Sequence, residues 1–334
     1  MAHPSRGRWP GFVSVAVAAV AGCGGGSLSF DEAQQRVYVA LCHAEVNCGD
    51  MPDIATCMAS LQVEPGYSMT IDADIASGKI VYDGAKASTC VARLESVYDG
   101  PCTRSARAAA GSTDAACAGV FAGTVDAGGA CFFDEECRGG GRCQSTDASC
   151  SRSRQCCAGT CLAAPAPIPA GGDCTTQLPN QGCGTGSYCI LDASGTSSTC
   201  MVPSAGEGAP CASALLCAQP FYCDFDPATN TGTCKRPAAT GAPCNPNSSG
   251  CDSAGDYCDM TTSTCTPRVA AGGTCDPTQF NCVGYTECVG TTCVARARVG
   301  ESCAASSGVG CLGSLACDAT TSTCTLAPVG GACI

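Results

Sequence analysis

Histidine is almost missing from this chain. His3 and His43 are the only two among 334 residues, so chemistry that needs several imidazoles is excluded. Aromatic residues reach 5% and charged residues 14%, and Trp9 is the single tryptophan. At a formal charge of −12, with no basic stripe to neutralise phosphates, nucleic acid is excluded as a partner. Long apolar runs are missing too. The longest, residues 12–21, spans ten residues where a membrane-crossing helix takes about twenty. No C-x-x-C or C-x-C occurs, so zinc ribbons and thioredoxin-like redox sites lack their signature. What the chain holds in excess is cysteine. Its 35 thiols cannot be reconciled with a reducing cytosol, and a cytosolic enzyme is excluded in favour of a disulfide scaffold made in an oxidising compartment.

The N-terminus reads as an export signal: Arg6 and Arg8 precede the apolar run, which closes on Val20-Ala21-Gly22-Cys23. That closing motif resembles the lipobox of bacterial lipoproteins. The resemblance implies cleavage before Cys23, a diacylglycerol thioether on that cysteine, and a flexible tether through residues 23–29. Ordinary secretion with cleavage after Ala21 is the alternative. Parity favours lipidation, because setting Cys23 aside leaves 34 cysteines, which can all pair. Lipoprotein modification supplies the two acyl signals that stable anchoring takes. Removal of residues 1–22 makes the formal charge −14 and leaves His43 as the sole imidazole.

Residues 30–124 read as a helical domain. Ser29 and Glu32 form a capping-box pattern, and Phe30, Ala33, Val37, Leu41 and Ala44 fall on one helical face. Further helices are expected over residues 53–61 and 83–97, with another turn or two around Arg107 and Ala115. Cys42, Cys48, Cys57, Cys90, Cys102 and Cys117 supply three disulfides in one of fifteen pairings.

Beyond residue 125 the hydrophobic content collapses. Leu, Ile, Val and Phe supply 24 of the last 209 residues, too few for an ordinary core, so cross-links must replace it. A repeat runs through this half. Gly128, Gly171, Gly208, Gly241, Gly272, Gly300 and Gly330 each stand three residues before a cysteine, where a positive φ at a turn is expected. Between them recurs a threonine-rich pattern, clearest in residues 257–265 and 317–324, which predicts a short β-hairpin carrying cysteines. Because the sequence stops one residue after Cys333, the reading that fits the count has each glycine head closing the unit before it. Residues 125–174 then form one unit with Cys131, Cys137, Cys143, Cys150, Cys156, Cys157, Cys161 and Cys174, and residues 175–334 hold five four-cysteine repeats. An extended stalk of independent modules is expected.

Cys131, the acidic Asp134-Glu135-Glu136-Cys137, Cys143, Cys150, and Cys156-Cys157 followed by Ala158-Gly159-Thr160-Cys161 resemble the Dickkopf N-terminal cysteine-rich domain. The Tyr-Cys-Asp hairpins look like degenerate copies of it. The layout of lipobox, helical cysteine domain and repeats is similar to that of cysteine-rich lipoproteins of myxobacteria. Dickkopf proteins antagonise Wnt signalling through receptor binding, but a bacterial lipobox makes that partner irrelevant, so the resemblance implies a scaffold and no activity.

The fold class expected is therefore small and disulfide-rich: a disulfide-stapled α-helical domain, then tandem cysteine-rich modules with short hairpins and little hydrophobic core. No catalytic and no metal-ligating residue is assigned. His43 is expected on the exposed side of the first helix. The carboxylates Asp134, Glu135, Glu136, Asp224 and Asp226 lack an EF-hand pattern, so a solvated acidic face is preferred to calcium, and no cofactor is expected. Tyr188, Tyr222 and Tyr257, each just before a cysteine, are expected to pack over the adjacent disulfide. The function expected is non-enzymatic: binding, adhesion or display by a lipid-anchored protein of the bacterial envelope, at the outer membrane or cell surface, toward a protein or glycan ligand. The rival readings are a protease inhibitor, a thiol–disulfide oxidoreductase, or a hydrolase within the helical domain.

Overall fold

The computed structural model describes residues 26–61, 65–110, 114–147, 150, 157–176, 181–184, 186–191, 196–211, 217–226, 231–246, 250–279, 281–303, 309–313 and 315–326. The export signal, Cys23, Cys156, Gly330 and Cys333 lie outside these residues.

The helical segment forms where the sequence places it. Helix α1 (Phe30–Asn47) starts at Ser29, whose hydroxyl accepts from the Glu32 N–H while Glu32 reaches back to the Ser29 N–H. Helix α2 is Ile54–Leu61, and α4 (Gly84–Tyr98) is capped by Asp83. Helices α5 (Arg104–Ala110) and α6 (Asp114–Cys117) supply the extra turns. Three elements carry too little sequence pattern to have been expected: α3 (Pro65–Ser77), and the strands β1 (Ile80–Tyr82) and β2 (Phe121–Gly123), which pair antiparallel. Ala33 of α1 and Ala87, Cys90 and Val91 of α4 form a buried core with Val120. Small residues there let the two helices approach closely, and a forked Arg36–Glu95 pair at 2.6 and 2.8 Å spans them. The disulfides Cys42–Cys57, Cys48–Cys102 and Cys90–Cys117 stay within this segment.

The second half consists of antiparallel hairpins, modules whose buried clusters are mainly cysteine, joined by Ile168 in one and by Ala297, Leu312 and Leu315 in the last. In the module spanning residues 205–235, strands β9 (Tyr222–Asp226) and β10 (Thr231–Lys235) pair, and the buried cluster is Cys211, Cys217, Cys223 and Cys234. Cys223 and Cys234 stand directly opposite each other across the hairpin, yet neither bonds the other. Cys223 bonds Cys211 and Cys234 bonds Cys217, so the first cysteine takes the third and the second takes the fourth. The same interlaced pattern holds for Cys174–Cys189 with Cys183–Cys200, for Cys244–Cys258 with Cys251–Cys265, for Cys275–Cys288 with Cys282–Cys293, and for Cys303–Cys317 with Cys311–Cys324. Cys131–Cys143 with Cys137–Cys161 follows it too, with Cys150–Cys157 added in the longer hairpin of that module. Cys157 is thus spent on Cys150, and Cys156 lies outside the described residues.

These pairings correct the phase of the repeat. Cys174 belongs with Cys189 and not with the unit that begins at Cys131, so the divisions 125–174 and 175–334 do not follow the modules. Each of the six described heads opens its own module. The reason is backbone pairing: the head glycine N–H donates to the carbonyl of the fourth cysteine downstream, and that cysteine's N–H donates back to the residue after the glycine. Gly241 to Cys265 at 2.7 Å and Cys265 to Ala242 at 2.9 Å are one instance, and Gly300 to Cys324 at 2.8 Å begins another. Six residues before each first cysteine, Val125, Ile168, Ala205, Ala238, Val269 and Ala297 pair in parallel with the second cysteine of the same module. The modules accordingly span about 125–162, 168–201, 205–235, 238–267, 269–295 and 297–325.

The head glycines at 128, 171, 208, 241, 272 and 300 all have positive φ, between +79° and +91°. At Gly241 nothing lies within 4 Å of where a Cβ would stand. Gly241→Val should therefore lose only the conformational term, about 1–2 kcal/mol, and the thermal midpoint should fall with the disulfide map unchanged. An unchanged midpoint would mean that the head turn is not strained by a side chain. In two hairpins the turn is drawn by an aspartate. Asp259 accepts from the N–H groups of Thr261 and Thr262, and Asp318 from those of Thr320 and Thr321. Ser263 and Ser322 follow in the left-handed region, at φ +52° and +53°.

The modules do not extend away as a stalk. Asp53 meets Arg298 at 3.4 Å, Met51 packs on the cluster of Leu312 and Leu315, and a Cβ at Gly49 would lie 3.8 Å from Val283. Thr103 bridges Ser253. The expectation of an extended row fails because the loop after α1 and the start of α5 offer polar and apolar partners to modules far along the chain.

Candidate functional site

Helix α5 stands where the helical segment meets the modules. The Cys48–Cys102 disulfide holds its start, and two backbone bonds of 2.9 Å dock it on the module of residues 238–267: Arg104 N–H to Asp252 O, and Ala254 N–H to Cys102 O. The Ser105 N–H and hydroxyl both donate to one carboxylate oxygen of Asp252, at 2.9 Å each. Two hollows flank this helix, of about 510 and 450 Å³, and Arg104 and Arg107 line both.

The larger hollow adds Arg268, Tyr257, Met260 and Gln279. Its two carboxylates are already engaged, Asp252 by Ser105 and Asp256 by the Thr240 hydroxyl. The smaller hollow is walled by Tyr188, Val202, Pro203, Phe221 and Tyr222, and among the described residues that line it there is no carboxylate. The Arg104 guanidinium lies 6.0 Å from the centre of the Tyr222 ring. The Arg107 guanidinium faces the sulfurs of Cys48 and Cys102 at 3.3 and 3.5 Å. All three tyrosines singled out in the sequence thus line these hollows. Tyr222 is buried at the seam with the next module, where Gly250 leaves room for its hydroxyl and a Cβ would not; Tyr188 stays 47% exposed. Sequence reasoning did not single out Arg104 as a site residue; no local signal marks it, since its surroundings come from residues more than eighty positions away.

A second charged cluster joins α3 and β1 to the first module. Glu136 is fully buried and accepts from Lys79 Nζ at 2.8 Å, while Asp74, also buried, lies 3.4 Å from the same ammonium. Burial, reinforced by the Glu136 charge, raises the Asp74 carboxyl to about 6. Burial acts against the Glu136 charge as well, yet donation from Lys79 and from the N–H groups of Phe132 and Phe133 outweighs it and holds Glu136 below its ordinary value. The acidic runs are therefore not a uniform solvated face. Besides Glu136, Asp134 accepts from the Cys143 N–H at 2.8 Å, and Asp224 accepts from Asn245 at 2.7 Å and pairs with Lys235.

His43 is half-buried on α1 rather than exposed. Groups of three sulfurs crowd within 4.8 Å in several modules, such as Cys131, Cys137 and Cys161, and each of these sulfurs is committed to a disulfide, whereas metals take thiolates. No helix among the described residues is long and apolar enough to cross a membrane. No family model, curated protein or solved structure matches this chain.

Proposed function

We propose that this is a lipid-anchored, non-enzymatic binding protein of the bacterial cell envelope, whose cross-linked modules display the cleft around α5. The observation that carries the reading is the division of labour among cysteines. Among the described residues thirty-two cysteines are joined in sixteen disulfides, which suits an oxidising compartment, and the sequence sets Cys23 in a lipobox-like motif behind an export signal. The Dickkopf-like spacing adds a precedent for scaffold use, and the walls of the cleft favour contact with a ligand over turnover of one. Among the described residues lining the two hollows there is no histidine, and every cysteine there is disulfide-bonded.

Cys23→Ala should move the protein from the membrane fraction to the soluble fraction and leave the sixteen disulfides intact. Fractionation followed by non-reducing peptide mapping reads both. A variant that stays with membranes, or a wild type that retains residues before Cys23, would sink the anchor.

A further inference from the structure

We propose that Lys79 and Asp74 form an intramolecular cross-linking site, at which the Lys79 amine becomes an amide of the Asp74 side chain with Glu136 as the proton acceptor. This modification goes beyond the binding role above and does not depend on it.

Three observations carry it. First, an amine and two buried carboxyls meet in one place. Lys79 Nζ lies 3.4 Å from Asp74 Oδ1 and 2.8 Å from Glu136 Oε1, and both acids are buried. Reacting groups poised for attack stand about 3–3.5 Å apart. Two acids share one ammonium, so the cluster holds one negative charge in excess until a proton is taken up.

Second, the two acids differ, and the difference assigns their roles. Although burial opposes its charge, Glu136 is held ionised by donation from Lys79 and from the Phe132 and Phe133 N–H groups, which also fix it in place. It is the base. Asp74 has a buried oxygen with no hydrogen-bond partner, and burial together with the Glu136 charge favours its protonated form. Lys79 and Glu136 are the charged groups that act on it. A neutral carboxyl accepts an amine at its carbon, which a carboxylate resists.

Third, the backbone holds the reacting pair together. Helix α3 ends at Ser77, Gly78 turns the chain at φ +78°, and the Thr124 hydroxyl donates to the carbonyls of Gly78 and Lys79. Lys79 is thereby returned to the last turn of α3, which carries Asp74, and its ammonium lies 5.5 Å from the centre of the Phe132 ring.

The step balances without a co-reactant. The Lys79 ammonium gives one proton to Glu136, and the freed lone pair attacks Asp74 Cγ to form the C–N bond. The nitrogen gives a second proton to the Asp74 hydroxyl, the C–O bond breaks with its electron pair, and one water leaves. Glu136 is left protonated. The ion pairs are the state before this step, and an unreacted chain keeps them together with their response to pH.

The test is peptide mapping of the wild-type chain, purified at about pH 8 and then held at that pH or at about pH 5.5, where Asp74 carries its proton and Glu136 does not. At the lower pH the peptide bearing residues 74–79 should become lighter by one water, about 18 Da. It should resist trypsin after Lys79 and yield no backbone fragments between the two residues. At the higher pH the product should accumulate at least about tenfold more slowly. Asp74→Asn should lose ammonia in place of water, Asp74→Ala and Lys79→Arg should keep their mass, and Glu136→Gln should react about a hundredfold more slowly. The disulfide map establishes that each variant is folded, and the wild-type result stands without them. An unaltered peptide at the lower pH would overturn the proposal. So would a lost water with trypsin still cutting after Lys79, which marks a succinimide at Asp74. Equal rates at the two pH values, or an undiminished rate in folded Glu136→Gln, would overturn the roles given to the two acids.

Discussion

Lys79→Met should cost about 3 kcal/mol at pH 7.5, because it strands a carboxylate that has no access to water. Glu136 is fully buried, and loss of one partner from a buried ion pair leaves an uncompensated charge. The figure sits at the low end of that class because the Lys79 side chain is itself 35% exposed. The pH dependence follows from the two carboxyls. Asp74 is raised to about 6 from 3.8, so its contribution is full below 3.8 and is lost as pH rises through about 6. Glu136 is lowered from 4.5, so its contribution is present above 4.5 and is lost as pH falls through the lowered value. In the wild type this corner is therefore most favourable in the window between the two. Without Lys79 both carboxyls move upward, and the penalty should be largest above pH 7 and shrink toward pH 4.5 as they take up protons. Urea midpoints at pH 4.5 and 7.5 and equal ionic strength measure this. An equal loss at both would show that Lys79 acts there only by packing. Asp74 also has a buried carboxylate oxygen with no hydrogen-bond partner, so the strain of this corner at neutral pH belongs to Asp74 and the stabilisation to the Lys79–Glu136 pair.

Removing one module disulfide should have an effect of similar size but a different reach. Cys217→Ser with Cys234→Ser opens a loop of 17 residues, and the chain-entropy estimate for such a loop is about 3 kcal/mol. Cys234 is fully buried, and the four cysteines form the buried cluster of that module with only partly buried Ala205, Phe221 and Phe225 against it, so the hairpin loses half of its covalent bracing. Amide exchange should accelerate across residues 205–235 and at the seam where Tyr222 meets Gly250. The helical segment and the modules 125–162 and 297–325 should keep their protection, since each module's sulfurs pair within it. Loss of protection across the whole chain would mean that the packing around α5, and not the disulfides, sets the cooperative unit.

Much of this protein was legible in its residues because the signals are local. The capping box at Ser29 and Glu32, the glycine heads at 128, 171, 208, 241, 272 and 300, and the threonine-rich hairpins each act within a few positions, and each appears where local chemistry places it. Helix α3 escaped because its apolar residues lie on no single face, and β1 and β2 because three-residue strands carry no period. The phase of the repeat escaped for another reason. Counting cysteines treats every grouping of four alike, whereas the choice is made by the hydrogen bonds from each head glycine to the fourth cysteine downstream. A usable signal was present in the alanine, valine or isoleucine six positions before each first cysteine, which has no role if the head closes a module.

By itself the sequence determined the class of scaffold: too little Leu, Ile, Val and Phe for a core, and cysteine enough to replace it, so that covalent closure takes over the work of burial. It determined the turns as well, since a positive φ or an aspartate-capped loop depends only on neighbouring residues. Only the tertiary structure decided which sulfur meets which, because cysteines that face each other across every hairpin are chemically equivalent until the head strand brings their true partners alongside. The tertiary structure also decided where the arginines gather. Arg104 and Tyr222 are 118 positions apart, and what joins them is the docking of α5 against modules that loop back upon it, an arrangement set by the sum of many weak contacts and written in no single stretch of chain.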